Sequence, residues 1–240
     1  MKRNFWSARL SHLLAIIGTV LLIAEARAEK EVPPPVDPLT LYGDEIYFDV
    51  YRHGNRVGFH RVQLDAGDDG VIVQSTFKLQ IDILFFTAYR YHYRSEGLWR
   101  DGELVRLDAS VDDDGAVSSV EAVRDGERMT IIGADGRFNT KAPLYPTNHW
   151  NAAVLRETTV LNTLTGQVNE VRIEPRAREA VDTELGSISA TRYAYTGDLD
   201  TEVWYDDKGR WVKMRFKGRD GSTIDYVCRR CLGAVGRLAE

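Results

Sequence analysis

The sequence predicts a mainly β protein, a curled antiparallel meander of about 10–11 strands with one short helix. Asp-Gly pairs, which suit tight hairpin turns because both residues tolerate a positive φ, recur at intervals of 13, 11 and 10 residues. These pairs begin at Asp101, Asp114, Asp125 and Asp135. Between the turns, apolar and polar side chains alternate, as they do in residues 211–217. So many strands in one domain are expected to form a barrel, a half-barrel or a two-sheet sandwich.

The N-terminus has the organisation of a secretory signal peptide. Positive side chains precede an apolar stretch of 11 residues at 13–23, and Ala26-Arg27-Ala28 supplies the small residues that signal peptidase reads. A membrane-spanning helix needs about 20 apolar residues, so this stretch is too short to stay as an anchor. We expect cleavage after Ala28 and a periplasmic protein without a membrane span, or a secreted one if the host has no outer membrane.

Proline content and net charge indicate how the rest of the chain is divided and which partners it excludes. Four prolines crowd residues 33–38, so 29–43 is predicted to be an extended linker, followed by a β domain at 44–228 and a tail at 229–240. The whole chain carries a net charge of −5. The predicted signal peptide has a net charge of +3, so the mature protein has a net charge of about −8. Nucleic-acid-binding surfaces are basic, so this charge excludes that class of partner.

One strand and one helix stand out along the chain. Residues 79–99 read as a long strand that must bend or bulge, with Tyr89, Tyr91 and Tyr93 on the face opposite Arg90, His92 and Arg94. Residues 149–157 read as the helix, with Asn148 as its N-cap and Trp150 anchoring it on the sheet.

Aromatic residues supply the candidate ligand-binding site. The candidates are Tyr89, Tyr91, Tyr93, Trp99, His149, Trp150 and Asn151. They either fill the interior of the sheet or, if the curl is wide, line an apolar pocket with a few polar groups. His149 either caps the helix or acts as a base beside it.

The two cysteines, Cys228 and Cys231, are close enough to form a disulfide in an oxidising compartment. The pair is a structural link, a redox dithiol activated by the arginines between the cysteines, or part of a metal site. Covalent haem is excluded because Leu232 follows where a histidine is needed. The acidic run Asp112-Asp113-Asp114 reads as a solvated hairpin turn and His60 as a strand residue, and neither this run nor the histidine spacing gives a metal-ligand pattern. We therefore predict no metal, no cofactor and no catalytic residue.

Several motifs, taken in order, resemble a family of exported bacterial proteins known only as a domain of unknown function. They are Phe48-x-Val50 with Gly54, Gly58 and His60; Glu96-Gly97-Leu98-Trp99-x-Asp101-Gly102-x-Leu104; His149-Trp150-Asn151; and Trp204-Tyr205-Asp206 with Gly209, Asp220-Gly221 and Tyr226. The resemblance covers residues 44–226 and implies no catalytic residue. More remotely, the meander with a helix is similar to the half-barrel of the lipoprotein carriers LolA and LolB, a likeness of fold alone.

Three functions remain open at this stage. The first is a cell-envelope protein that binds or carries a hydrophobic or amphiphilic, lipid-like molecule inside the curled sheet. The second is a module that binds another envelope protein through a sheet face or an edge strand. The third is a redox protein or enzyme that uses Cys228 and Cys231 or His149.

Overall fold

The structure, a computed structural model, describes residues 37–83 and 86–233. The predicted signal peptide and most of the predicted linker lie outside these residues. At its described end the linker differs from the extended prediction, because Pro38–Tyr42 forms one helical turn, α1. Asp37 Oδ2 accepts a hydrogen bond from Thr40 N at 2.9 Å, and proline suits the first helical position. No helix within these ranges is long and apolar enough to cross a membrane.

Fifteen strands form one sheet in the described part of the chain. They are β1 Glu45–Arg52, β2 Asn55–Gly67, β3 Gly70–Ile83, β4 Phe86–Arg100, β5 Glu103–Asp113, β6 Ala116–Asp125, β7 Arg128–Gly133, β8 Gly136–Lys141, β9 Tyr145–Pro146, β10 Thr159–Leu161, β11 Val168–Thr183, β12 Gly186–Gly197, β13 Thr201–Asp206, β14 Trp211–Lys217 and β15 Thr223–Arg230. A 3-10 helix, Ala152–Arg156, lies between β9 and β10.

The mainly β, antiparallel prediction is confirmed, and three of its details are wrong. The count of 10–11 strands misses short strands such as β9 and β10, which are too brief to alternate. The long strand at 79–99 is instead a hairpin of the end of β3 and nearly all of β4. The helix predicted at 149–157 is shorter, and Asn151 rather than Asn148 caps it, its side-chain oxygen accepting from Ala153 N at 3.0 Å.

The sheet is two meanders joined at their first and last strands. Strands β1 to β8 pair successively in one direction, β10 to β15 return, and β15 pairs antiparallel with β1. The only parallel pair between described strands is β9 with β10. The predicted turn chemistry is confirmed at the β4–β5 and β5–β6 hairpins, where both residues of Asp101-Gly102 and of Asp114-Gly115 have positive φ.

The sheet curls until its two borders meet. Ala134 N, in the β7–β8 turn, donates to Thr165 O in the β10–β11 loop at 3.1 Å, and Gln167 Nε2 donates to Asp135 Oδ2 at 2.8 Å. Because β8 and β9 are the border strands of the sheet, these contacts bring its two borders together. The curl gives the sheet an inner face, where its buried aromatic residues pack, and an outer face.

Strand direction defines two ends of the curled sheet. We call the end with the β3–β4, β5–β6 and β14–β15 turns the upper end, and the other the lower end. At the lower end, Tyr42 of α1 donates its hydroxyl hydrogen to Trp150 O at 2.9 Å and accepts from Trp211 N at 2.8 Å. This hydroxyl thereby connects three parts of the chain: α1, the segment before the 3-10 helix, and the start of β14.

Candidate functional site

A group of polar side chains lies on the inner face, at the centre of the sheet. Residues at alternate positions share a face, so β2 presents His60 inward and the neighbouring β3 presents Ser75. His60 Nε2 and Ser75 Oγ share a hydrogen bond of 2.7 Å. Ser95 of β4 is the cross-strand partner of Ser75, so the three strands contribute a continuous polar row.

The loop before the 3-10 helix brings a second histidine to the same place. Trp150 N donates to Asn148 O at 2.8 Å across a three-residue turn whose centre, His149, has a φ of +57°. A non-glycine residue in this conformation costs about 1–2 kcal/mol, so neighbouring contacts must fix it. The hydroxyl of Tyr205 does so by donating to His149 O at 2.7 Å. His149 is thus buried with its ring 5.4 Å from that of Tyr195.

Six buried polar atoms in this region have no hydrogen-bond partner among the described residues. They are His60 Nδ1, Ser95 Oγ, Trp99 Nε1, His149 Nδ1, Trp150 Nε1 and Tyr195 Oη. Ser95 lies beside the hydroxyl of Tyr93, and Tyr205 beside that of Tyr195, but neither pair has the geometry of a hydrogen bond. Buried polar groups are nearly always paired, so such a group of atoms indicates bound water or a ligand. We call His60, Ser75, Ser95, His149 and Tyr195 the polar centre.

Burial keeps the polar centre uncharged. Desolvation lowers the pKa of His60 to about 3, with a smaller contribution from the nearby His149, and lowers the pKa of His149 to about 4. Burial also raises the pKa of Tyr195 above its ordinary value. At neutral pH these side chains therefore offer neutral donors and acceptors.

Aromatic rings connect the polar centre to the upper end. The ring of Phe77 lies 5.8 Å from that of His60 and 5.7 Å from that of Tyr91, and Tyr226 stacks on Phe77 at 5.9 Å. Towards the upper end, several inward-facing apolar side chains are only half-buried, although Val171 and Ile224 there are buried. We call the half-buried ones the mouth: Ile81, Tyr91, Ile173, Met214 and Phe216. Apolar walls with polar groups beneath them are typical of small-molecule sites.

A carboxylate stands at the rim of the mouth. Asp113 ends β5 as the cross-strand partner of Tyr91, and only 14% of its side chain is exposed. Its Oδ1 accepts from the Tyr89 hydroxyl at 2.7 Å, and its Oδ2 lies 2.6 Å from Arg219 Nη2. The prediction that 112–114 is a solvated turn is therefore wrong for Asp113, which faces inward.

The predicted site residues divide between the two ends. Tyr89 and Tyr91 lie at the mouth, and Tyr93 reaches the segment before the 3-10 helix by donating to Asn148 Oδ1 at 3.4 Å. Trp99 and Trp150 pack edge to face at 4.7 Å near the lower end. Asn151 bonds to the backbone, donating from Nδ2 to Gly102 O at 3.1 Å.

Sequence reasoning missed His60, Ser75, Ser95, Tyr195, Asp113 and Arg219. His60 was interpreted only as a strand residue. Its alternation with Val62 and Leu64, which are buried, was the signal that it faces inward. Ser75 alternates with Val73 and Phe77 in the same way, but the neighbours that make these residues a site come from distant strands.

The cysteines form the predicted disulfide, with Sγ–Sγ at 2.03 Å. Glu184, in the β11–β12 turn, accepts from Cys231 N at 3.0 Å, so the bridge ties this hairpin to the end of β15. Glu184, Cys228 and Cys231 are close enough to suggest metal ligands, but the disulfide consumes both thiolates. The cysteines are 1% and 0% exposed, which denies an attacking thiolate access.

Comparison with known proteins identifies the family and the fold. The model of a domain of unknown function, DUF6134, matches residues 48–229. The chain is also similar to the crystal structure of a β-barrel-like protein of domain of unknown function DUF1849 from Brucella abortus, with a TM-score of 0.56 and 12% identity over 78% of this chain and 95% of that one. Identity this low supports a shared fold alone. No curated protein matches the chain. The likeness to LolA and LolB stays a prediction.

Proposed function

The chain belongs to the DUF6134 family, a domain of unknown function, and we propose that it is an exported cell-envelope protein that binds a small amphiphilic molecule inside its curled sheet. The observation that carries this proposal is the set of four buried atoms of the polar centre without a partner among the described residues, His60 Nδ1, Ser95 Oγ, His149 Nδ1 and Tyr195 Oη, together with half-buried apolar side chains towards the upper end. An amphiphile has the two kinds of surface that these regions need: an apolar part and hydrogen-bonding groups.

Entry is through the upper end. The mouth residues are half-buried although they face inward, whereas Trp99, Trp150 and Trp211 near the lower end are buried. The lower end is further fixed by the backbone bonds of Tyr42 and Tyr205. A ligand that enters at the mouth meets Tyr91 and Phe77 before it reaches His60.

Export accounts for the N-terminal residues and the disulfide. A bridge between Cys228 and Cys231 persists in an oxidising compartment, which is where the predicted signal peptide would deliver the chain. Intact-mass measurement of the protein from its host envelope is expected to give the 212-residue chain that begins at Glu29. A mass that retains residues 1–28 contradicts export with cleavage.

Blocking the mouth tests the ligand site. Ile173 and Arg172 are neighbours on β11, but Ile173 faces the mouth and Arg172 is exposed on the outer face. We expect Ile173→Trp to weaken binding of the fluorescent probe N-phenyl-1-naphthylamine about tenfold, because the larger side chain occupies the mouth. The matched variant Arg172→Trp is expected to bind as the wild type does.

Two outcomes contradict the proposal: no probe binding by the wild type, or equal binding by both tryptophan variants. Circular dichroism and the unfolding midpoint check that each variant folds. If Ile173→Trp does not fold, Met214→Trp blocks the mouth from β14 and is judged against the same Arg172→Trp control.

One observation favours a second function, binding of an envelope protein. The outer face of β6 and β7, beside the border strand β8, exposes Val117, Val123 and Ile132. An exposed apolar area next to an unpaired strand edge suits strand addition by a partner. A negative charge introduced at the exposed Asn139 of β8, as in Asn139→Asp, is expected to disrupt such an interface without affecting probe binding. The catalytic alternative has no comparable support, since no described carboxylate hydrogen-bonds to His60 or His149.

A further inference from the structure

The rim of the mouth carries a carboxylate that is held in an unusual way. Asp113 and the β14–β15 turn are separated in the sheet by β4, β3, β2 and β1, yet Arg219 of that turn reaches Asp113. The ion pair therefore spans the mouth. Its acidic partner is largely buried, while the Arg219 side chain is 87% exposed.

The exposed arginine is a weak partner. Ion pairs whose cation is in solvent contribute little to stability, because water and salt screen the attraction and the side chain loses rotamer freedom. A carboxylate that faces inward and is mostly removed from water benefits more from a cation that is itself held in the mouth. Arg219 is thus a partner that a bound cation can replace.

Two phenol rings complete the surroundings of Asp113. Tyr89 donates its hydroxyl hydrogen to the carboxylate, and Tyr91 is the cross-strand partner of Asp113. Burial, followed by the effect of Asp113, raises the pKa of Tyr89 to about 12, so the phenol stays neutral. Faces of neutral aromatic rings attract ammonium groups, and a carboxylate between such rings is a common way to bind an amine.

We propose that Asp113, Tyr89 and Tyr91 form a subsite for the cationic head group of the bound amphiphile, with Arg219 as the partner that it displaces. This proposal rests on the ligand site proposed above and specifies the chemistry of its ligand. The ligand is an amphiphile with a primary or quaternary ammonium group. Its apolar part lies along Tyr91 and Phe77, whose rings are 5.7 Å apart.

Matched amphiphiles separate this proposal from the broader one. Decyltrimethylammonium, decyl maltoside and decanoate share a ten-carbon chain and carry positive, zero and negative charge. By calorimetry below their micelle concentrations, we expect the cation to bind the wild type about fivefold more tightly than the maltoside, and decanoate to bind most weakly.

Three variants assign the effect to the subsite. Asp113→Asn is expected to remove the preference for the cation while the maltoside affinity stays within about twofold. Asp112→Asn is the matched control, since Asp112 is the neighbouring residue on the exposed outer face, and it is expected to keep the preference. Arg219→Gln removes the internal competitor and is expected to strengthen cation binding severalfold.

Each contrary result has its own meaning. Equal affinities for the three amphiphiles overturn the cationic subsite and leave the ligand site standing. A preference that survives Asp113→Asn also overturns the subsite. If Asp113→Asn does not fold, an Arg219→Gln variant that binds the cation no better than the wild type overturns it. No binding of any amphiphile overturns both proposals.

Discussion

At the lower end of the curled sheet, tyrosine hydroxyls bond to backbone groups, whereas at the upper end a tyrosine hydroxyl bonds to a carboxylate. Tyr42 and Tyr205 satisfy the carbonyl oxygens of Trp150 and His149. Tyr89 instead holds Asp113, whose other partner is an exposed arginine. The same residue type thus closes one end and presents a charged group at the other.

This difference separates residues that maintain the fold from residues to which we assign ligand binding in the proposal above. The lower end buries its aromatic rings fully, so its contacts contribute mainly to stability. The upper end leaves inward-facing apolar rings half-exposed, which lowers stability unless a ligand covers them. Substitutions at the two ends are therefore expected to have unequal effects on unfolding.

The largest contrast is expected between two aromatic residues. Trp150→Ala should lower the free energy of unfolding by about 3–5 kcal/mol, because it leaves a cavity beside Trp99 in the closed end. Phe86 is 61% exposed at the upper end, and Phe86→Ala should cost less than about 0.5 kcal/mol. Urea unfolding of both variants measures the difference. Equal losses would remove the distinction between the ends.

Loss of single hydroxyls sharpens the comparison. Tyr42→Phe deprives the Trp150 carbonyl and the Trp211 amide of their partner, and two unsatisfied buried groups should cost about 2–4 kcal/mol. Tyr89→Phe at the mouth should cost less than about 1 kcal/mol, because the bond that it loses is only partly buried. A Tyr42→Phe variant as stable as Tyr89→Phe would show that the closing bonds are weak.

The polar centre should make stability depend on pH. The folded pKa values of about 3 for His60 and about 4 for His149 lie below the ordinary value of 6.5 for the unfolded chain. Below pH 6.5 the two histidines bind protons in the unfolded chain but not in the folded protein. Their contribution to the free energy of unfolding is therefore fully present above pH 6.5 and is lost as the pH falls towards the folded pKa values. Between pH 7 and pH 5 we expect a loss of about 2 kcal/mol for each histidine.

Unfolding of the His60→Gln and His149→Gln variants at both pH values checks this expectation, because each should flatten the dependence. Carboxylates with lowered pKa values, such as Asp49 and Asp220, act in the same direction but only at lower pH, so they do not disturb this window. An unaltered slope in both variants would show that these histidines titrate as they do in the unfolded chain.

Local signals in the sequence predicted the strands and turns well, because both depend on neighbouring residues. Alternation at Met214 and Phe216 and the positive-φ pairs at Asp101 and Asp114 were readable in this way. The helix cap was misplaced from Asn151 to Asn148, since both asparagines precede a short apolar run. The short strands β9 and β10 depend on pairing with each other, which no local pattern records.

The candidate site was predictable only in part for a related reason. The tyrosines of β4 were found because they alternate within one strand. His60 and His149 come from segments 89 residues apart, and their shared position depends on the curl of the sheet. Asp113 looked solvated within its acidic run, and only its pairing opposite Tyr91 turns it inward.

Native mass spectrometry of the protein, purified without detergent from the envelope of its own host, tests ligand binding inside the sheet most directly. We predict a mature chain that carries a small-molecule adduct, and loss of that adduct in Ile173→Trp but not in Arg172→Trp. A bare chain mass for the wild type, or an adduct that both variants retain, would contradict a ligand site beneath the mouth.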